Sequence, residues 1–130
     1  MSSENVEIVR RGWQHLETTG EPDWEATSED VEVHDHDIPD RSEYRGHAGV
    51  RRWLENWGAA WAQWSFQPVE FIDAGDRVIL VGRMTATGRD SGVKVDREDA
   101  VVHTMRDGKT VRLDYFNNRR QALEAAGLST

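Results

Sequence analysis

The sequence predicts an α+β domain in which two amphipathic helices precede a run of antiparallel strands. Three observations predict it. Apolar residues recur at helical spacing over 4–18 and again over 47–62. From 65 to 117 the chain falls into strand-like segments separated by Ala74-Gly75-Asp76, Arg89-Asp90-Ser91-Gly92 and Asp107-Gly108. The chain of 130 residues is also the length of one ordinary domain, with no internal repeat, low-complexity stretch or linker to divide it.

Each element follows from its residues. Over 4–18, Val6, Val9, Trp13 and Leu16 share one helical face; Ser3 can cap the start, and Gly20 and Pro22 stop it. A short helix is expected around Asp23 to Ala26. Residues 31–36 read as a strand with Val31, Val33 and Asp35 on one face and Glu32, His34 and His36 on the other; Pro39 ends it. After Gly46, Val50, Trp53, Leu54, Trp57 and Trp61 form one apolar stripe on a second helix. Strands are expected over 65–73, 77–88, 93–106 and 109–117, joined as an antiparallel meander. The tail RRQALEAAGL reads as a short amphipathic helix ending at Gly127.

Register decides which side chains meet. A three-residue loop at Arg106-Asp107-Gly108 pairs Met105 with Lys109, His103 with Val111, Val101 with Leu113 and Asp99 with Tyr115; a two-residue turn instead sets His103 against Arg112 and Asp99 against Phe116. The first is preferred, because it groups Val111, Leu113 and Tyr115 on one half-buried face. The preceding hairpin then sets Gly82 opposite Asp99, leaving space above that carboxylate. An inner face carries Asp99, His103 and Tyr115 among Val78, Leu80 and Met84. An outer face carries Ile79, Val81, Ala100, Val102 and Phe116, and its need for cover suggests a homodimer.

Composition excludes several functions. There is no cysteine, so disulfides and thiolate chemistry are out. The net charge is −8, and the basic clusters are only the pairs Arg51-Arg52 and Arg119-Arg120, which argues against a nucleic-acid partner. No apolar run approaches the roughly 20 residues of a membrane span, and the opening MSSENVEIVRRG lacks a signal-peptide core; a soluble, cytoplasmic protein is expected, with no membrane partner. Six tryptophans point to a large aromatic core or an apolar pocket.

The order and spacing of RGHAGVRRWL, FIDAGDRVIL, MRDGKTVRLDYF and the terminal QALEAAGL resemble the SnoaL-like branch of the nuclear transport factor 2-like superfamily, over nearly the whole chain. The resemblance implies a cone: a strongly bent sheet wrapped around the N-terminal helices, with a pocket inside, and frequent homodimers packed sheet to sheet. It implies no single activity, since relatives include ketosteroid isomerase, polyketide cyclases, scytalone dehydratase, limonene epoxide hydrolase and pure binding domains. Carried over by position, the isomerase's general-base Asp falls on Asp35. Its oxyanion-hole Tyr falls near Gly12-Trp13, where there is no phenol, and its second oxyanion acid falls near Val101, two residues from Asp99. The Asp typical after the last strand is Asn118 here, and Asp35, Arg97 and Asp99 only echo an epoxide-hydrolase Asp-Arg-Asp set.

The candidate catalytic groups are therefore Asp35, His103 and Asp99: Asp35 as a proton acceptor, and His103, oriented by Asp99, as a donor to a carbonyl or hydroxyl. Each has a structural counterpart, a loop-capping carboxylate for Asp35 and a self-satisfied polar network for the others, with Arg97 as an ion-pair partner of Asp99. Trp13, Tyr44, Trp53, Trp57, Trp61 and Tyr115 are the candidate ligand-binding residues. A metal held by the His34-Asp35-His36-Asp37 run is disfavoured, because its histidines point away from Asp35, and no cofactor is expected. The expected partner is a small hydrophobic or polyketide-like molecule, bound for isomerase, cyclase or dehydratase chemistry or simply sequestered. A dimerising domain with a filled cone is the third reading.

Overall fold

A computed structural model of the chain describes residues 2–36 and 43–128. Its elements are α1 (Ser2–Thr19), β1 (Thr27–Asp35), β2 (Glu43–Arg45), α2 (Gly46–Ala59), β3 (Trp61–Ala74), β4 (Arg77–Gly88), β5 (Lys94–Arg106), β6 (Lys109–Phe116) and α3 (Arg119–Ala125), with a single 3-10 turn at Trp24–Ala26. Pro39 and Asp37 lie outside the described residues, as does the Ser3 side chain. No helix among the described residues is long and apolar enough to cross a membrane.

The strands form one curved sheet that does not close, in the order β2-β1-β6-β5-β4-β3. The meander β3 to β6 is antiparallel, but β1 joins the far edge of β6 in parallel. A parallel pair needs a long crossover, and here α2 and the whole meander supply it. This pairing sets Asp35 beside Tyr115, so residues at opposite ends of the chain share one face.

The helices cover that inner face. Val9 of α1 packs with Val78, Leu80 and Met105, and Val50 and Trp53 of α2 pack with Val31, Val33, Leu113 and Tyr115. The burial of Val31, Val33 and Asp35, alternating with half-exposed Glu32 and His34, follows the expected parity. Gly20, at a φ of 78°, ends α1 by donating its N–H to the Leu16 carbonyl at 2.8 Å, the left-handed stop glycine tolerates best.

Four expectations need correction. The second helix ends at Ala59, and Trp61 opens β3. Arg89, from the β4–β5 turn, gives its guanidinium to the Ala59 and Trp61 carbonyls, each at 3.0 Å, and its backbone N–H to Ala60. Distant donors thus satisfy the helix end where apolar spacing alone would extend it. The last hairpin turns on two residues, Asp107 and Gly108, both with positive φ, so Arg106 pairs with Lys109. A bulge then leaves Val111 without a partner and sets His103 opposite Leu113 and Val101 opposite Tyr115. Beyond the bulge the offset from the preferred register is two residues, so Leu113 and Tyr115 keep their face; at Met105 it is one, which turns Thr110 to the inner side.

Gly82 does face Asp99, but the space above is filled: a Cβ at Gly82 would sit 2.3–2.7 Å from atoms of the Phe66 ring. A bulge between Pro68 and Glu70 lets both Phe66 and Phe71 join the inner cluster. On the outer face, Ile79, Val81, Ala100, Val102 and Phe116 pack against Ala122, Leu123 and Ala126. The chain covers this face with its own C-terminal helix, which removes the bare apolar surface that suggested a homodimer.

Gly82→Ala drives a methyl group into the Phe66 ring and is expected to destabilise the fold by about 1–3 kcal/mol, as overpacking does. Urea unfolding measures it; an unchanged midpoint would show that the ring moves freely aside.

Candidate functional site

The two helices and the sheet do not meet everywhere. Between them lies an apolar cavity of about 180 Å³. Its walls are Ile8, Gly12, Trp13 and Leu16 from α1, Val50, Trp53, Leu54 and Trp57 from α2, and Trp64, Phe66, Leu80, Val101, Leu113 and Tyr115 from the strands. The gap arises where Gly12 offers no side chain: a Cβ built there meets nothing within 4 Å. Trp13, Leu16, Leu54, Trp57, Trp64 and Phe66 also line an outer cleft of about 580 Å³, which forms the approach. Glu21 and Arg51 sit at its rim, joined by two hydrogen bonds of 3.0 and 2.8 Å, with Arg51 over the Trp24 ring.

Aromatic edges hold the walls. Trp57 meets Trp64, Trp61 and Tyr115 edge-on at 4.8, 6.1 and 6.3 Å between centroids. Trp13 meets Phe66 the same way at 5.1 Å. Such contacts fix large rings at low conformational cost.

Asp23, Thr27, His103, Thr110 and Tyr115 are the polar side chains that line the cavity. His103 lines the cavity, with Nδ1 3.4 Å from Thr110 Oγ1. Burial lowers its pKa from 6.5 to about 4, because an imidazolium there would lose its hydration without gaining a counter-charge. Tyr115, also lining the cavity, donates its hydroxyl proton to Asp99, which is fully buried. Arg97 closes this network with Nε 2.7 Å from Asp99 Oδ1. Burial, then the Asp99 carboxylate, push the Tyr115 phenol far above its ordinary range.

Asp35 is buried behind the wall. Trp53 Nε1 donates to its Oδ2 at 2.8 Å, and Asp35 is not among the cavity-lining residues. Of the sequence-derived candidates, the structure brings Trp13, Trp53, Trp57, His103 and Tyr115 to the cavity and sets Asp35, Asp99, Tyr44 and Trp61 outside it. Tyr44 is buried beneath α2 with Val31, Val33 and Val50, its hydroxyl accepting from Asn56. Trp61 packs behind Trp57. His34 and His36 point to the other side, toward Glu32 at 3.1 Å and Asp114 at 2.8 Å, and His36 stacks on Phe116. Among the described residues no group of three or more such side chains is placed to hold a metal.

The sequence reading missed Trp64, Phe66 and Thr110. The alternation Trp64-Ser65-Phe66-Gln67 was the available signal for the first two, since it puts both rings on one strand face.

The SnoaL-like domain family matches residues 9–113. No curated protein matches the chain. Among solved structures, a nuclear transport factor 2-like protein from Burkholderia thailandensis E264 is 25% identical with a TM-score of 0.75, covering 92% of this chain and 96% of its own. TerC, co-crystallised with polyporic acid, is 23% identical with a TM-score of 0.71, covering 95% and 98%. A protein of ketosteroid isomerase-like fold from Catenulispora acidiphila DSM 44928, in complex with trimethylamine, is 17% identical with a TM-score of 0.69, covering 94% and 93%.

Two outcomes follow from the buried polar groups. Asp35→Ala leaves the Trp53 indole N–H in the wall without this acceptor, at a cost of about 1–3 kcal/mol; Asp35→Asn, which keeps an oxygen, costs less. Denaturant midpoints of the two variants decide it, and equal, unchanged values would remove the structural role. His103, with a depressed folded pKa, binds its proton more readily unfolded. Its contribution is complete above pH 6.5 and is lost as the pH falls toward 4, by about 3 kcal/mol in all. His103→Leu should flatten that part of the stability–pH curve; a curve of unchanged shape would contradict the burial.

Proposed function

We propose, for a chain that belongs to the SnoaL-like domain family, that its function is to bind one small, mostly apolar molecule between α1, α2 and the inner sheet face. The observation that carries this reading is the tryptophan-walled cavity with a neutral imidazole, His103, among its few polar lining groups. Small-molecule sites have this composition: apolar walls for affinity and few polar groups for orientation. Similar folds are found in complex with small molecules, polyporic acid and trimethylamine, which supports a small-molecule ligand.

In this reading Trp13, Trp53, Trp57 and Trp64 supply the contact area. Asp35 positions Trp53 through the indole hydrogen bond, and Asp99 with Arg97 positions Tyr115. Acid/base catalysis by an Asp35–His103 pair fits less well. The two do not share the cavity, and an imidazole with a pKa of about 4 is a weak base at neutral pH.

The test uses Gly12. Gly12→Ala enters open space on a helix and should stabilise the protein by about 0.5–1 kcal/mol. Gly12→Phe should fill the cavity while the protein still folds. Apolar fragments that raise the melting temperature and quench tryptophan fluorescence of the native protein should do neither with Gly12→Phe. Fragments that bind both proteins equally would place the ligand elsewhere.

A further inference from the structure

The direction of the hydrogen bonds around the cavity constrains the ligand. Thr27, Thr110, Tyr115 and Trp53 all line it, and each turns its proton into the wall. Thr27 Oγ1 donates to the Asp23 carbonyl at 2.9 Å. Trp53 Nε1 donates to Asp35. Tyr115 donates to Asp99. Thr110 Oγ1 donates to Met105 Sδ at 3.4 Å.

The last bond fixes the histidine. With its one proton on Met105, Thr110 faces His103 Nδ1 as an acceptor, so Nδ1 carries the hydrogen. The reverse arrangement, Thr110 donating to Nδ1, leaves the Met105 sulfur without that donor and makes one hydrogen bond where this one makes two. A neutral ring protonated on Nδ1 has its lone pair on Nε2, and Nε2 makes no hydrogen bond among the described residues. The indoles of Trp13, Trp57 and Trp64 line both the cavity and the outer cleft.

We propose that the closed end of the cavity selects a hydrogen-bond donor: an apolar molecule carrying a hydroxyl or N–H group that donates to His103 Nε2, in preference to the ketone of the same skeleton. The proposal rests on the binding function above and names its ligand class. A carbonyl against His103 would set its lone pairs against that of Nε2, and Thr27, Trp53, Thr110 and Tyr115 all turn their protons elsewhere. An unmatched polar contact in an apolar site discriminates strongly.

The test compares 1-indanol with 1-indanone by tryptophan fluorescence titration, and reads the His103 tautomer from imidazole nitrogen NMR shifts. The alcohol should bind at least about tenfold more tightly, His103→Leu should bring the ratio close to one, and the ring should be protonated on Nδ1. Equal or tighter binding of the ketone, or an Nε2-protonated ring, overturns the donor preference and leaves the binding function standing. Failure of both compounds to bind counts against the binding function, and the nitrogen shifts then decide the hydrogen-bond direction alone.

Discussion

A fully buried carboxylate organises the inner face. Asp99 has no exposed surface, and a carboxylate there is tolerated only when paired and hydrogen-bonded. Its partners come from two strands: Arg97 from β5 itself and the Tyr115 hydroxyl from β6. Tyr115 sits opposite Val101 rather than Asp99, so the phenol reaches the carboxylate diagonally, along the strand. That diagonal depends on the bulge at Val111, and the bulge depends on the tight Asp107-Gly108 turn. Gly82, opposite Asp99 on β4, leaves room that the Phe66 ring fills. One buried charge thus ties together β3, β4, β5 and β6, and its arrangement points Tyr115 across the sheet toward Trp53 and Trp57.

Much of this was legible in the sequence because face follows from parity alone. Val31, Val33 and Asp35 alternate, and so do Asp99, Val101 and His103; no register error of two residues can move them to the other side. The order of elements was legible for a similar reason, since helical and strand periods are local. What was not legible depended on contacts between distant residues. Trp61 continues a helical stripe perfectly well, and only the capture of the helix end by Arg89, 28 residues on from Trp61, makes it a strand residue. The bulge at Val111 has no glycine to announce it. The cover supplied by α3 was hidden because an amphipathic tail does not say which face it will lie on.

The candidate site was legible only in part, and the reason is burial depth. Parity places Asp35 and Asp99 on the inner face, but it does not distinguish a side chain that reaches the cavity from one that stops in the wall. Both carboxylates stop there, each held by a wall residue that does reach the cavity, Trp53 in one case and Tyr115 in the other. His103 differs because its neighbour is Thr110, a short side chain that leaves part of the ring facing the space. Two of the three residues expected to do chemistry, Asp35 and Asp99, therefore serve as anchors, and the third, His103, brings polar character to the cavity.

Stabilising the oxyanion of an enolising ketone requires hydrogen-bond donors aimed at the place where charge develops. Near Gly12-Trp13 this cavity offers no phenol, and the phenol that lines it, Tyr115, gives its proton to Asp99. Returning that proton to the cavity would leave Asp99, which has no exposed surface, with Arg97 as its remaining partner within the network. The pairing that makes the buried carboxylate tolerable is therefore the same one that withholds a donor from the ligand. The stability of the inner face and the hydrogen-bonding sense of the cavity are not separate properties: a sequence that keeps Asp99 buried beside Tyr115 has already withdrawn one donor from the cavity.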